Sequence, residues 1–233
     1  MRNLFISLSF LTLAAGCNEP KEGAYGNIQF TPDNCSTEDL RGCDFDDSIG
    51  VGGQIDVNIA GIDGFSTAGV TLATDDPNVL VVAPIGDVSG RPTWEVTATG
   101  EGVGRIIALD ADDIQVDFIE VGVQLLSGLT TENFIGDAVG PTADPNYDEV
   151  WTVNADTIVS FYVVPLIGDG VPTMGRYQYD TVVDAALDPY LEEPTSDPAG
   201  GYIRFSAPAG QYLVSFANLY QIGLTLDVLF DVQ

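Results

Sequence analysis

Beyond residue 17 this sequence never holds a helical 3.6-residue hydrophobic period for long. Short runs of Val, Ile, Thr and aromatics alternate instead with Gly, Pro, Asn and Asp. A chain punctuated this way can bury its apolar surface only by pairing strands and packing the resulting sheets face to face. Gln54–Ala60 carries the half-buried pattern: Ile55, Val57 and Ile59 share one parity, and Gln54, Asp56 and Asn58 the other. One buried and one wet face are predicted there. The same reading places strands at Ile28–Thr31, Val70–Thr74, Val79–Ala83, Thr93–Thr99, Gly104–Asp110 and Ile114–Leu125. In the last of these, Ile114, Val116 and Phe118 lie on one parity and Ile119, Val121 and Val123 on the other, which predicts a bulge or a strand serving two sheets. After a short junction at Leu125–Leu129, strands resume at Val150–Asn154, Thr157–Val164, Gly175–Asp180, Tyr202–Ser206, Gln211–Asn218 and Leu224–Val232. Trp94 and Trp151 are expected in the core or at strand edges.

Short strands in this density predict an all-β chain of two tandem immunoglobulin-like β-sandwiches, at residues 28–125 and 126–233. The first sandwich carries a more specific likeness. Val70-Thr71-Leu72-Ala73-Thr74-Asp75-Asp76-Pro77-Asn78-Val79 leads to Trp94-Glu95-Val96-Thr97-Ala98-Thr99-Gly100-Glu101-Gly102-Val103-Gly104-Arg105-Ile106. This resembles the group-2 bacterial immunoglobulin-like repeats, with an Asp-Pro turn before a strand and a glycine-spaced hairpin after it. The insert Pro84–Arg91 departs from that pattern. The resemblance implies an extracytoplasmic spacer, display or adhesion module rather than one chemistry.

The N-terminus reads as an address. Arg2 precedes an apolar run, Leu4–Ala15, too short to cross a bilayer but long enough for a signal-peptide core. It ends in Leu13-Ala14-Ala15-Gly16-Cys17, which resembles a bacterial lipoprotein signal. The resemblance implies a cleaved signal peptide at 1–16 and lipid attachment, palmitate included, at Cys17. Residues 17–27 follow as a polar tether. Asn18 after the cysteine points to the outer membrane, on its periplasmic face or at the cell surface.

Cys35 and Cys43 then remain as an even pair in an oxidising compartment, and a structural disulfide is expected between them. Zinc would want four nitrogen or sulfur ligands, and this chain contains no His.

The absence of His also removes the usual serine-hydrolase base, so Gly64-Phe65-Ser66-Thr67-Ala68 is not expected to be a nucleophile turn. With 35 Asp and Glu against 7 Lys and Arg, the net charge is −28, which repels phosphate backbones and excludes nucleic acid as a partner. Two loop clusters, Asp44, Asp46 and Asp47, and Asp110, Asp112 and Asp113, are candidate calcium ligands, although neither follows EF-hand spacing. The expected function is a lipid-anchored, non-catalytic envelope module for binding, adhesion or structural display. Its partners would be the membrane, through the lipid, and an envelope protein or glycan. The alternative is a carboxylate-based hydrolase of envelope or extracellular glycan.

Overall fold

The computed structural model describes residues 20–33, 44–88, 90–192 and 196–233. The first half contains β1 (Lys21–Glu22), β2 (Ile28–Asp33), β3 (Ile49–Gly50), β4 (Gln54–Gly61), β5 (Thr71–Thr74), β6 (Leu80–Val88), β7 (Arg91–Ala98), β8 (Gly102–Leu109) and β9 (Gln115–Gln124). They form a five-stranded sheet in the order β1-β2-β4-β7-β6 and a four-stranded sheet in the order β3-β9-β8-β5. Setting aside the two-residue β1 and β3, this is the immunoglobulin arrangement: first, second, fifth and fourth strands in one sheet, and seventh, sixth and third in the other. β3 lies parallel beside β9, Ile49 opposite Val123. Phe30, Ile55, Val57, Leu80 and Trp94 from one sheet meet Ile49, Leu72, Ile106, Ile119 and Val121 from the other in a single core.

The second half contains β10 (Leu126–Ile135), β11 (Ala138–Asp144), β12 (Tyr147–Val153), β13 (Val159–Ile167), β14 (Val171–Pro172), β15 (Tyr179–Val183), β16 (Tyr202–Phe205), β17 (Gly210–Asn218) and β18 (Thr225–Val232). β13 pairs with β10, β14 and β16, and the facing sheet runs β11-β12-β18-β17-β15. The same plan recurs, with β12 parallel beside β18 as β3 is beside β9. Two 3-10 turns, Asp188–Tyr190 and Pro198–Gly200, lie where a fourth strand would run. The core is aromatic: the Phe161 ring lies 5.0 Å from Trp151 and 4.8 Å from Phe230, and Phe205 lies 5.1 Å from Phe230. Such edge-on and tilted ring pairs add to the area they bury. Trp94 and Trp151 are both core residues.

Several details differ from the sequence pattern, each for a local reason. The Pro84–Arg91 insert lengthens the β6–β7 hairpin, which carries exposed Ile85 and Val88. Residues 21–27, read as tether, belong to the first sandwich, because β1 pairs with β2. The outer face of β4 is covered, with Asp56 and Asn58 buried beside Ile55 and Val57. Asn58 accepts the Thr93 hydroxyl at 2.7 Å, and the partner of Asp56 comes from the second sandwich. In β9 the inward set is Asp117, Ile119, Val121 and Val123, and a register shift sits at Val116, where Ala108 faces Asp117 and Leu109 faces Gln115. The predicted bulge is therefore present, but the apparent change of phase comes from a buried aspartate on the inner face and a half-buried Phe118 on the outer.

β10 is polar and was not expected as a strand. It is held by Glu149 on β12, whose carboxylate accepts both the Thr130 and Thr131 hydroxyls and the Thr131 N–H. Trp151 Nε1 donates to Thr131 Oγ1 at 2.7 Å, so these buried polar groups are satisfied within one network.

Candidate functional site

Two features of the surface are built by long-range polar contacts. The first is the junction between the sandwiches. β9 ends at Gln124 and β10 starts at Leu126, so a single residue links them. The loop from Thr173 to Tyr177 reaches across. The Gln54 N–H donates to the Arg176 carbonyl at 3.0 Å, and the Arg176 N–H returns a bond to Gln54 at 2.8 Å. Thr173 Oγ1 donates to the Ser48 carbonyl at 2.7 Å, and Tyr177 Oη lies 3.1 Å from the carbonyls of both Gly50 and Met174. Burial holds the Tyr177 phenol well above its ordinary pKa, so it remains a donor. Met174 belongs to the core of the first sandwich, whereas Tyr177 belongs to that of the second. From the other side, Gln221 clasps both backbone groups of Leu126, accepting its N–H at 3.0 Å and donating to its carbonyl at 2.8 Å. The Tyr220 ring packs on Gly52, which has φ +89° and where a Cβ would sit 2.4 Å from the ring.

Arg176 closes the junction electrostatically, 3.0 Å from Asp56 and 3.4 Å from Glu95. Burial raises the Asp56 carboxyl above its ordinary 3.8, and the opposing pull of Arg176 only partly offsets this. A carboxyl raised in the folded state gives its full stabilisation below the unfolded value and loses it as pH rises through the folded one. Asp56→Asn mimics the favoured neutral form. At pH 7 its melting temperature should equal or exceed that of the wild type, and this advantage should vanish as pH falls toward 4. A melting-temperature series of both proteins from pH 7 to 4 checks this; an advantage that grows toward pH 4 would contradict it.

The second feature is the turn between β1 and β2. Asp117, fully buried, accepts the backbone N–H groups of Tyr25 and Asn27 at 2.9 Å, of Ile28 at 2.8 Å and of Phe118 at 2.9 Å. Ala24 N–H donates to the Phe118 carbonyl at 2.9 Å, and Asn27 Nδ2 to that of Val116 at 2.9 Å. The turn is thereby bolted to β9, and it presents Tyr25, whose ring meets that of Phe118 edge-on at 5.5 Å and 83°. Arg105 lies 4.8 Å above the Phe118 ring and bonds Glu120 at 2.9 Å. A cleft of about 310 Å³ opens here, lined by Lys21, Glu22, Ala24, Phe118 and Glu120.

Cys17, Cys35 and Cys43 lie outside the described residues. Asp44 accepts the Asp46 N–H at 2.9 Å, Asp46 pairs with Lys21, and Asp47 lines a cleft at the junction together with Ser48, Gln124 and Gly168. Asp110 accepts the N–H groups of Asp112 and Ile114 at 2.9 Å each, and Asp113 has φ +58°, the geometry of a side-chain-capped turn between β8 and β9. Among the described residues, no three His, Cys, Asp or Glu side chains are gathered as a metal would need. Ser66 accepts the Ala68 N–H within its exposed turn. Asp117, Arg176 and Tyr25 were not singled out by the sequence, although an aspartate on the inward parity of an apolar strand is a signal that could have found the first.

No known family matches the chain, and no curated protein does. Solved structures do. Domains 5–6 of the S-layer protein SbsC align over 93% of this chain and 99% of theirs, at 14% identity and a TM-score of 0.32. The Escherichia coli adhesin FdeC aligns over 80% of this chain and 62% of its own, at 14% identity and a TM-score of 0.28. The SGBP-B protein of the Bacteroides ovatus mixed-linkage glucan utilization locus, solved with a mixed-linkage heptasaccharide, aligns over 83% of this chain and 46% of its own, at 13% identity and a TM-score of 0.33. The immunoglobulin-like assignment rests on the strand order of the two sandwiches.

Proposed function

We propose that this chain is a lipid-anchored, non-catalytic envelope protein that holds a binding or display surface at a fixed position beside its membrane. The observation that carries this reading is the locked junction. Sandwiches joined in one chain move independently by default, but here Met174 is buried in its neighbour's core and Arg176 bonds two of its carboxylates. Such coupling costs conformational freedom and suits a module that positions a surface.

The apolar run and cysteine at 4–17 support membrane attachment at Cys17, on the outer membrane. Three residues separate Cys17 from Lys21 on β1, so the four residue-to-residue steps reach at most ~14 Å. The acyl chains supply the membrane affinity, since a net charge of −28 opposes attraction to anionic headgroups. Intact-mass and N-terminal peptide mass spectrometry of membrane-extracted protein should find Cys17 as the first residue, carrying a diacylglycerol thioether and an N-acyl chain. Cys17→Ser should lose that mass. A mature N-terminus elsewhere, or an unmodified Cys17, would overturn the anchor.

A further inference from the structure

Methionine occurs twice in this sequence, as Met1 and as Met174. Met174 is thus the one methionine beyond residue 17, and it sits where the coupling of the two sandwiches is concentrated. It is 8% exposed and belongs to the same apolar core as Phe45, Ile49, Val51 and Ile55 of the first sandwich. Ile167 before it and Tyr177 after it belong to the core of the second. The loop that carries it has no slack. Met174 bridges to Ile49, and Gly175, with φ +118°, approaches so closely that an added Cβ would lie 2.9 Å from the Gly53 Cα.

We infer that Met174 makes the junction a redox-sensitive switch, closed as the thioether and open as the sulfoxide. The step is a two-electron oxygen transfer from a peroxide. The sulfur lone pair attacks one peroxide oxygen, the O–O bond breaks as the S–O bond forms, and the proton of the transferred hydroxyl passes to the departing oxygen. Sulfur is oxidised, and hydrogen peroxide is reduced to water. The product is polar where the thioether was apolar, and an apolar core offers its oxygen no donor, so the oxidised side chain is favoured in water over its former site. Peroxide reaches the sulfur when the Thr173–Tyr177 loop lifts, a local opening short of global unfolding. Once oxidised, the side chain does not reseat. Arg176 and Gln221 still tie the surfaces through partly exposed polar contacts, for which water competes, but the buried apolar contact is lost. The sandwiches then regain the independence expected of domains joined in one chain. This inference rests on the locked junction of the reading above, but not on the lipid.

The test treats the full chain in detergent with hydrogen peroxide, reads residue 174 by peptide mass mapping, and follows unfolding by differential scanning calorimetry. Met174 should gain one oxygen at a rate about tenfold or more below that of free methionine, and Arg176→Gln, which loosens the loop, should raise that rate several-fold. The oxidised protein should show two transitions where the untreated protein shows one. Reduction by methionine sulfoxide reductase should restore the single transition. Met174→Leu keeps the volume and every other oxidisable group, and should melt in one transition with or without peroxide. A protein oxidised at Met174 that still melts in one transition would overturn the switch. So would a Met174 left unoxidised while free methionine is consumed, or a Met174→Leu chain that splits on treatment. Two transitions before any peroxide is added would instead mark a failure of the locked junction itself, so the two failures are distinguishable.

Discussion

Asp117→Ala is expected to lower the unfolding free energy by about 4 kcal/mol, among the larger effects of a single substitution. The carboxylate accepts four backbone N–H groups and is itself fully buried. Hydrogen bonds to an ionised acceptor are the strong ones. Removing the acceptor strands donors that the packed turn shields from water, at ~1–3 kcal/mol each, with the partly buried ones at the low end. Truncation also leaves a void beneath Gly23, where any Cβ would lie 2.2 Å from the Asp117 side chain. Asp117→Asn should recover only part of the loss, since its NH2 group turns a donor toward donors. Urea unfolding followed by tryptophan fluorescence measures the change, with Asp112→Ala, an exposed turn position, as a control expected within about 0.5 kcal/mol of wild type. Equal midpoints for the Asp117 and Asp112 variants would refute the role assigned to this carboxylate.

Met174→Ala should cost about 3 kcal/mol, in the range for truncating a buried methionine. The side chain is 8% exposed and packs with the core of the first sandwich, although its chain neighbours belong to the second. Its backbone bridges to Ile49, and its carbonyl receives the Tyr177 hydroxyl. The loss should therefore fall on the contact between sandwiches more than on either one alone. Beyond a lower stability, the variant should show its two halves melting apart.

Much of the architecture was legible because turn residues separate strands whose apolar faces alternate. The boundaries of β4, β8, β9, β17 and β18 lie within two residues of the expected ones. What was missed has its partners far away along the chain, and of those features only Asp117, on the inward parity of an apolar strand, carries a local signal. β10 carries Gly128, Thr130, Thr131, Glu132 and Asn133 and reads as a loop; its place in the sheet depends on Glu149 and Trp151, which satisfy the threonines from another strand. The wet face expected of β4 is covered by Arg176, 120 positions away from Asp56. Asp117 and the turn it holds are separated by about ninety residues. Alternation alone cannot distinguish an outward polar residue from an inward one whose partners come from such distances. Asp110, by contrast, finds its partners within four residues and does what a turn aspartate usually does.

The claim on which the account depends is that the two sandwiches behave as one unit. Differential scanning calorimetry of the wild-type chain measures this most directly. A locked junction predicts a single transition with calorimetric and van't Hoff enthalpies equal, resolving into two in Met174→Ala. Two independent transitions in the wild type, each with its own enthalpy, would show the sandwiches uncoupled and contradict the account.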